Sequence, residues 1–470
     1  MIPFQGNTTA SGVSSISSLK WSNLNIVKRI LILGVPLIIG EFGSICQQFA
    51  DTIMVGQYGT EEFAAAGFVN SIFDYIIFLM LGISYASTPV IGNAFGRKDD
   101  VGIIKAFGES IVVNLSVALF FTIFLFVLYF NLEGLFFNTK HELFHQPLDI
   151  LDISKPYLVT LTLSIPFLGI FYACKQYLDA IGKPNVSMWI LIISNIINII
   201  LNYCLIFGEF HFPKLGLLGA GVSTLIARIL QVLFILPIVY KSEILRRVAR
   251  SGQILNALPE MKGIQEQFKL GIPVSIQLGF EIGAFNMCGI FMGWLGTIPL
   301  AAHQAMYTIS TLCFQILYGI GSAGTILISQ FHGAGELANI RRTGNLTFLI
   351  GLVSVSIITA GIWIFFEPLA YCFTTNDDVV KTMFAILPWF ALYQLGDCTQ
   401  ITFANALRGI EKTVPLMLIA IFAYLIVCVP LCYIFAFEIG WGVHGVWGGI
   451  PVGLSTAGIL FWLWFRKNTK

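Results

Sequence analysis

Long apolar segments alternate with short polar ones along almost the whole chain. The apolar runs predict twelve helices, near residues 30–55, 63–95, 106–130, 155–178, 186–207, 216–240, 268–295, 298–331, 342–366, 381–406, 414–436 and 441–465. Each run reaches the roughly 20 residues that a helix needs to cross the hydrocarbon core of a bilayer. The pattern therefore predicts an all-α polytopic membrane protein.

The apolar pattern occurs twice. Residues 34–96 align with residues 271–333 at a constant offset of 237 and share 17 of 63 positions, among them the pair Gly34 and Gly271. Two related halves in an apolar chain are typical of transporters, whose sites lie where the halves meet. Because each half has six spans, both halves have the same orientation, and their pseudo-twofold axis runs along the membrane normal.

Composition and charge agree with this picture. The chain is 56% hydrophobic and 11% charged, whereas a soluble domain carries about 25% charge. A net charge of +1 leaves no basic footprint for nucleic acid. The polar segment 1–22 lacks the apolar core of a signal peptide.

The basic residues predict the orientation. With both termini inside, 21 Lys and Arg residues fall on the inner side, among them Lys175 and Arg408, and 4 fall on the outer side, two of them in the loop 131–154 or at its border. This excess predicts cytoplasmic termini in a cell (inner) membrane. The predicted parts are a cytoplasmic tail 1–29, a first lobe 30–240, a cytoplasmic linker 241–267, a second lobe 268–465 and a cytoplasmic tail 466–470.

Five acidic residues fall within predicted spans: Glu41, Asp51, Asp74, Glu281 and Asp397. An ionised acid at the bilayer centre costs roughly 2.5–3.5 kcal/mol on insertion scales, so such residues are by default functional. They are candidate carriers of a proton or a cation. The alternative is that each makes a structural hydrogen bond between helices.

Three of the candidates match in depth. Asp51 lies toward the outer end of the first helix, and Asn198 and Asn202 share one face of the fifth helix near its outer end. They predict one polar pocket in the first lobe, with Thr224 as a weaker candidate. The alternative for the asparagines is helix–helix hydrogen bonding.

Glu281 and Asp397 are the acid pair of the second lobe. Two close carboxyls would share one proton, or they could hold Na⁺ through hard oxygen ligands. We expect no other metal and no cofactor. The nine cysteines, none with CxxC spacing, are interpreted as small buried hydrophobic residues. In the repeat alignment, Asp51 matches Cys288.

Arg228 lies within a span, and its expected partner is Glu41 or Asp74. The first interpretation is a buried structural ion pair. The other is that these residues contact a substrate in a cavity between the lobes.

Several segments resemble the multidrug and toxic compound extrusion (MATE) family. They are Gln48–Gly56 with Asp51 inside it, Ala64–Gly67, Asn198–Asn202, Ala301–Gln304, Tyr393–Asp397 and Leu407–Gly409. Phe280 and Glu281 together with Asp397 resemble the NorM branch. The resemblance implies two six-helix lobes forming a V. It also implies Asp51, Asn198 and Asn202 as a proton site, and Glu281 with Asp397 as a cation site. The archaeal DinF-like branch has an aspartate in place of Asn202.

We therefore expect a monomeric antiporter, not an enzyme, that exports small organic, cationic compounds in exchange for H⁺ or Na⁺. One alternative is a lipid-linked saccharide flippase of the same superfamily, which usually has fourteen spans and a more basic cavity. A membrane-embedded enzyme is the second, although the chain shows no nucleophile–base arrangement and no HExxH motif. A passive channel is the third, and dependence of flux on an ion gradient would distinguish it.

Overall fold

The computed structural model describes residues 22–132, 134 and 150–470. The first half contains α1 (Asn23–Tyr58), α2 (Thr60–Ser84), α3 (Ser87–Gly96), α4 (Asp100–Leu132), α5 (Leu151–Ala180), α6 (Pro184–Phe207), α7 (Leu217–Tyr240) and α8 (Glu243–Arg250). The second contains α9 (Met261–Leu295), α10 (Thr297–Gly333), α11 (Leu337–Ile364), α12 (Phe366–Tyr371), α13 (Asp377–Gly409), α14 (Thr413–Ala420), α15 (Val429–Tyr433) and α16 (Val443–Asn468). Almost all of the polar segment 1–22 and most of the loop 131–154 lie outside the described residues.

Twelve helical stretches are long and apolar enough to cross a membrane, counting α2 with α3 and counting α14 with everything up to Glu438. The prediction of twelve spans is thus confirmed for the described residues. The helices extend past the predicted runs: α1 begins at Asn23, where Ser22 accepts a hydrogen bond from the Asn25 N–H. An apolar run marks only the part of a helix inside the hydrocarbon, whereas capped polar turns continue beyond it.

The second predicted span, 63–95, is two helices that meet at Tyr85. Pro89 lacks the N–H that would bond to the Tyr85 carbonyl, so the helical ladder is interrupted there. The matching residue of the second half is Ile326, and α10 runs unbroken. At the break, the Tyr85 ring packs against Tyr318 of the second half with centroids 5.4 Å apart.

The eleventh span contains π-helical turns on both sides of α15, at Ile421–Cys428 and Ile434–Glu438. Pro430 removes one backbone hydrogen bond between them. Wide turns of this kind accommodate such a loss and are frequent near functional sites.

Helix α1 joins the two lobes. Its first half places Ile26, Ile30 and Leu33 in the apolar core of the second lobe. Its second half carries Asp51 and packs along α6 of the first lobe. Any movement of one lobe against the other must therefore tilt or bend α1.

Glycines bring the lobes into contact in the half of the membrane where α1 begins, which we call the termini side because an even number of spans places both chain ends there. A Cβ at Gly82 would lie 2.4 Å from the Ser275 Cα, and one at Gly319 would lie 2.4 Å from the Ile38 Cγ1. The two contacts are related by the same offset of 237. The interface therefore follows the internal repeat.

Candidate functional site

Asp51 lies on α1 opposite Asn198 and Asn202 of α6. Asn202 donates from Nδ2 to the Asp51 carboxylate and to the Asn198 Oδ1 at 3.2 Å. Gln47 donates to the Asn198 Oδ1 at 3.0 Å and to the Asp51 Oδ2 at 3.4 Å. The structure brings together the three residues that their depth predicted. Sequence reasoning missed Gln47, although it lies one turn before Asp51 on the same face.

Three polar atoms of this pocket have no hydrogen-bond partner among the described residues: the Nδ2 atoms of Asn195 and Asn198 and the Oδ1 of Asn202. Each such buried atom costs about 1–3 kcal/mol. Thr224 does not relieve this cost, because its hydroxyl donates to the Ala220 carbonyl at 3.0 Å. The pocket thus has unused donors and an unused acceptor.

Arg228 is held by neutral groups. Its Nη1 donates to the Ser164 Oγ at 2.5 Å, and its guanidinium lies 5.0 Å from the centroid of the Phe73 ring. Asp74 is near enough for Coulombic attraction, but in the described part of the chain no ion pair within 4 Å includes Arg228. The expected pairing with Glu41 is wrong, because a different cation occupies that position.

That cation is Lys175 of α5. Its Nζ lies 3.5 Å from the Glu41 carboxylate and 3.3 Å from that of Asp179. The neighbouring Gln176 accepts a hydrogen bond from Thr88 at 2.5 Å. These five residues line a cavity between the lobes together with Tyr85, Tyr318 and Arg408. The inner-side count of 21 basic residues therefore includes charges that lie inside the bundle.

Glu281 of α9 and Asp397 of α13 are 6% and 1% exposed. The Glu281 Oε2 accepts hydrogen bonds from Gln277 at 2.7 Å and from Gln400 at 3.1 Å. The Asp397 Oδ2 has no partner among the described residues, and the two carboxyl groups interact electrostatically. Burying an ionised carboxylate costs several kcal/mol unless it is compensated. A proton or a small cation bound here would remove that cost.

Arg408 is a further residue of this cluster, and sequence reasoning placed it outside the bundle. It is 3% exposed, and it donates to the Gln277 Oε1 at 2.6 Å and to the Tyr318 hydroxyl at 3.4 Å. Its guanidinium lies 5.6 Å from the ring centroid of Tyr85 in the first lobe. One signal was available: Arg408 follows Asp397 by eleven residues, about three helical turns, and so shares its face.

Twelve apolar spans, two repeated lobes and buried ionisable groups at and near their contact define a multi-pass membrane protein of the transporter class. The MatE family model matches residues 36–204 and 273–434. This chain belongs to the MatE family. The two matches begin 237 residues apart, at the offset of the internal repeat, so each lobe contains one family unit.

Relatives with curated descriptions match over nearly the whole chain. A probable multidrug resistance protein NorM of Rhizobium meliloti is 28% identical over 93% of this chain and 92% of that protein. The NorM protein of Photobacterium profundum is 27% identical over 92% of this chain and 93% of its own length. The predicted membership of the MATE family, with relatives in the NorM branch, is confirmed.

Solved structures agree on the fold. An outward-facing multidrug resistance MATE family transporter superposes with a TM-score of 0.83 at 21% identity, covering 94% of this chain and 96% of that chain. A Vibrio cholerae MATE transporter gives 0.82 at 18% identity, covering 95% and 97%. The predicted arrangement of two six-helix lobes is confirmed.

Proposed function

We propose that this protein is a secondary active multidrug efflux antiporter that exports organic, cationic compounds in exchange for H⁺ or Na⁺. The multidrug resistance relatives support export of drug-like compounds. The observation that carries the exchange is the pair Glu281 and Asp397, with a carboxylate oxygen enclosed in the bundle without a hydrogen bond. One charge entering across 100 mV supplies about 2.3 kcal/mol, enough for a roughly 50-fold substrate gradient.

The second-lobe cluster has the groups that either coupling ion needs. A proton would neutralise one carboxyl of the pair. Sodium would instead bind hard oxygen ligands, and both the Asp397 Oδ2 and the Gln400 Oε1 lack partners among the described residues. Asp51, with Asn198 and Asn202, forms a second ion site in the first lobe, and its carboxylate also favours a cationic substrate.

Gln277 links ion binding to the contact between the lobes, because it bonds both Glu281 and Arg408. An ionised Glu281 attracts Arg408, and a neutralised one does not. Arg408 lies against Tyr85 of the other lobe. Gain or loss of the ion therefore changes a charge interaction next to an interface that has to separate for alternating access.

The proposed setting is the cell inner membrane, with both termini in the cytoplasm. The lobes, 30–240 and 268–465, are joined by the linker 241–267. Exposed Arg246, Arg250 and Lys262 lie on the termini side, as the positive-inside rule requires of a cytoplasmic face.

Reconstituted transport tests the proposal. Proteoliposomes are given a proton gradient or a sodium gradient, one at a time, and movement of the cationic dye ethidium is followed. We expect uphill transport under one gradient, and a loss of about tenfold or more in Glu281→Gln and Asp397→Asn. Asp378→Asn is the matched control, since this exposed acid pairs with Lys381 at the start of α13. Undiminished gradient-driven transport in both site variants would rule out the proposed carriers.

A further inference from the structure

Three cysteines converge inside the second lobe. Cys288 of α9 and Cys428 and Cys432 of the eleventh span have sulfur atoms within 4.8 Å of one another. They are 0%, 3% and 0% exposed, and the Sγ atoms of Cys288 and Cys432 are 3.7 Å apart. Three sulfurs that each lie about 2.3 Å from one metal ion are about 4 Å apart. The cluster therefore has close to the spacing of a three-sulfur metal site.

The cluster lies at the repeat equivalent of the first-lobe pocket. The offset of 237 matches Asp51 with Cys288. The two family matches end at residues 204 and 434, an offset of 230, which matches Asn198 with Cys428 and Asn202 with Cys432. The three polar residues of the first pocket thus correspond one by one to three thiols.

Backbone packing supports this second offset independently. A Cβ at Gly219 would lie 2.6 Å from the Leu205 carbonyl oxygen, and one at Gly445 would lie 2.4 Å from the Phe435 carbonyl carbon. Leu205 and Phe435 are also 230 residues apart. The same close approach between neighbouring helices therefore recurs in both lobes at the predicted register.

Glycines of α16 make room for the sulfurs. A Cβ at Gly449 would lie 2.6 Å from the Cys432 Sγ, and one at Gly453 would lie 2.9 Å from the Cys428 Sγ. The Cys432 Sγ also lies 3.3 Å from the Val446 carbonyl oxygen. Any larger side chain at the two glycines would fill the space beside the cluster.

We propose that Cys288, Cys428 and Cys432 form a binding site for a soft monovalent metal ion of the Cu(I) or Ag(I) class. Thiolates select soft metals, whereas the oxygen ligands of the first pocket suit hard ones. Structural zinc sites almost always take four ligands, but the cluster has three. Each thiol that binds the metal as a thiolate releases its proton to solvent. The two lobes thus carry equivalent sites of opposite ligand chemistry, and this inference does not depend on the transport proposal.

Anaerobic copper binding tests the site in the full chain. Exposed Cys46 and Cys372 are first changed to serine, and the reduced protein in lipid nanodiscs is titrated with Cu(I) against the chelator bicinchoninate. We expect about one ion per chain, with sulfur alone in the first coordination shell by X-ray absorption. Replacing the three cluster cysteines with alanine should weaken binding at least about tenfold. Cys204→Ala, which removes a buried thiol outside the cluster, should leave it unchanged.

Several results would overturn the site. They are no retained copper, oxygen or nitrogen in the first shell, undiminished binding by a folded triple variant, or a disulfide among the three cysteines in the protein as isolated. Size-exclusion chromatography and helical circular dichroism report whether the triple variant folds. If it does not, the coordination shell and stoichiometry of the parent protein decide. Ethidium transport is measured separately, so failure of the metal site and failure of the transport proposal are distinguishable.

Discussion

Arg408 and Lys175 are two cations enclosed near the contact of the lobes, and they are stabilised differently. Lys175 lies within 4 Å of two carboxylates, those of Glu41 and Asp179. Arg408 donates to neutral groups, while Glu281 acts on it from a longer distance. The first arrangement is a closed ion pair network. The second leaves a charge free to respond when Glu281 gains or loses a proton.

Lys175→Met should lower the free energy of unfolding by about 3–5 kcal/mol, because it leaves buried carboxylates without a counter-charge. Thermal unfolding in detergent micelles measures the loss. Lys381→Met is the control, since its exposed pair with Asp378 contributes about 0–1 kcal/mol. Equal melting temperatures for the two variants would show that the Lys175 network contributes no more than a surface pair.

Arg408→Lys should reduce the maximal rate of transport about tenfold with little change in KM. Lysine keeps the charge but loses the planar fork that reaches both Gln277 and Tyr318 and the flat face against Tyr85. Arg466→Lys is the control, because Arg466 also lies over an aromatic ring, 4.9 Å from the Trp462 centroid, but far along the chain from the site. A change confined to KM, or equal rates in both variants, would contradict a role in coupling.

At the scale of elements, α1, α2, α9 and α10 form the contact between the lobes through repeat-related glycine positions. The break after α2 is not repeated in α10, because Pro89 has no counterpart there. Tyr85 at that break contacts both Tyr318 and Arg408. One asymmetric feature thus lies inside an otherwise symmetric interface, next to the second-lobe ion site.

Gly82→Leu should prevent the close approach of the lobes on the termini side, because even a Cβ would meet the Ser275 backbone. The distance between spin labels at exposed Lys183 and Ala338 should lengthen and broaden in electron–electron double resonance, measured in the background without Cys46 and Cys372. Gly67→Leu on the same helix is the control, since a Cβ there meets nothing within 4 Å. Identical distance distributions would show that this contact does not hold the lobes together.

At the scale of the whole molecule, the two family units are joined by a connection that belongs mainly to the first. Helix α8 buries Ile244 and Val248 in a first-lobe core. Arg247 of α8 forms an ion pair of 2.7 Å with Asp100. The stretch that follows α8 is short and exposed, and Gly252 meets nothing within 4 Å. The chain connection therefore contributes little to how the lobes fit.

Two separately expressed fragments, 1–252 and 253–470, should reassemble and restore ethidium efflux to cells when produced together. The contact surface, including the first half of α1 in the second-lobe core, is large enough to act without the covalent link. Each fragment alone is the control and should give no efflux. Fragments that co-purify without restoring efflux would show that the connection is needed for transport and not only for assembly.

The sequence by itself determined the twelve spans, the two halves and the shared depth of Asp51 with Asn198 and Asn202. Span length, hydropathy and helical spacing are local properties, and each can be read from consecutive residues. The twofold repeat likewise needs only an alignment of the chain with itself.

Only the tertiary structure decided which helices face one another. It placed Lys175 beside Glu41, brought Arg408 to Gln277 and Tyr85, and joined Cys288 to Cys428 and Cys432. These residues belong to helices far apart in the chain, and an apolar helix has many faces that would bury equally well. Which faces meet depends on close packing, such as the glycine contacts at Gly82 and Gly319, and no local pattern specifies it.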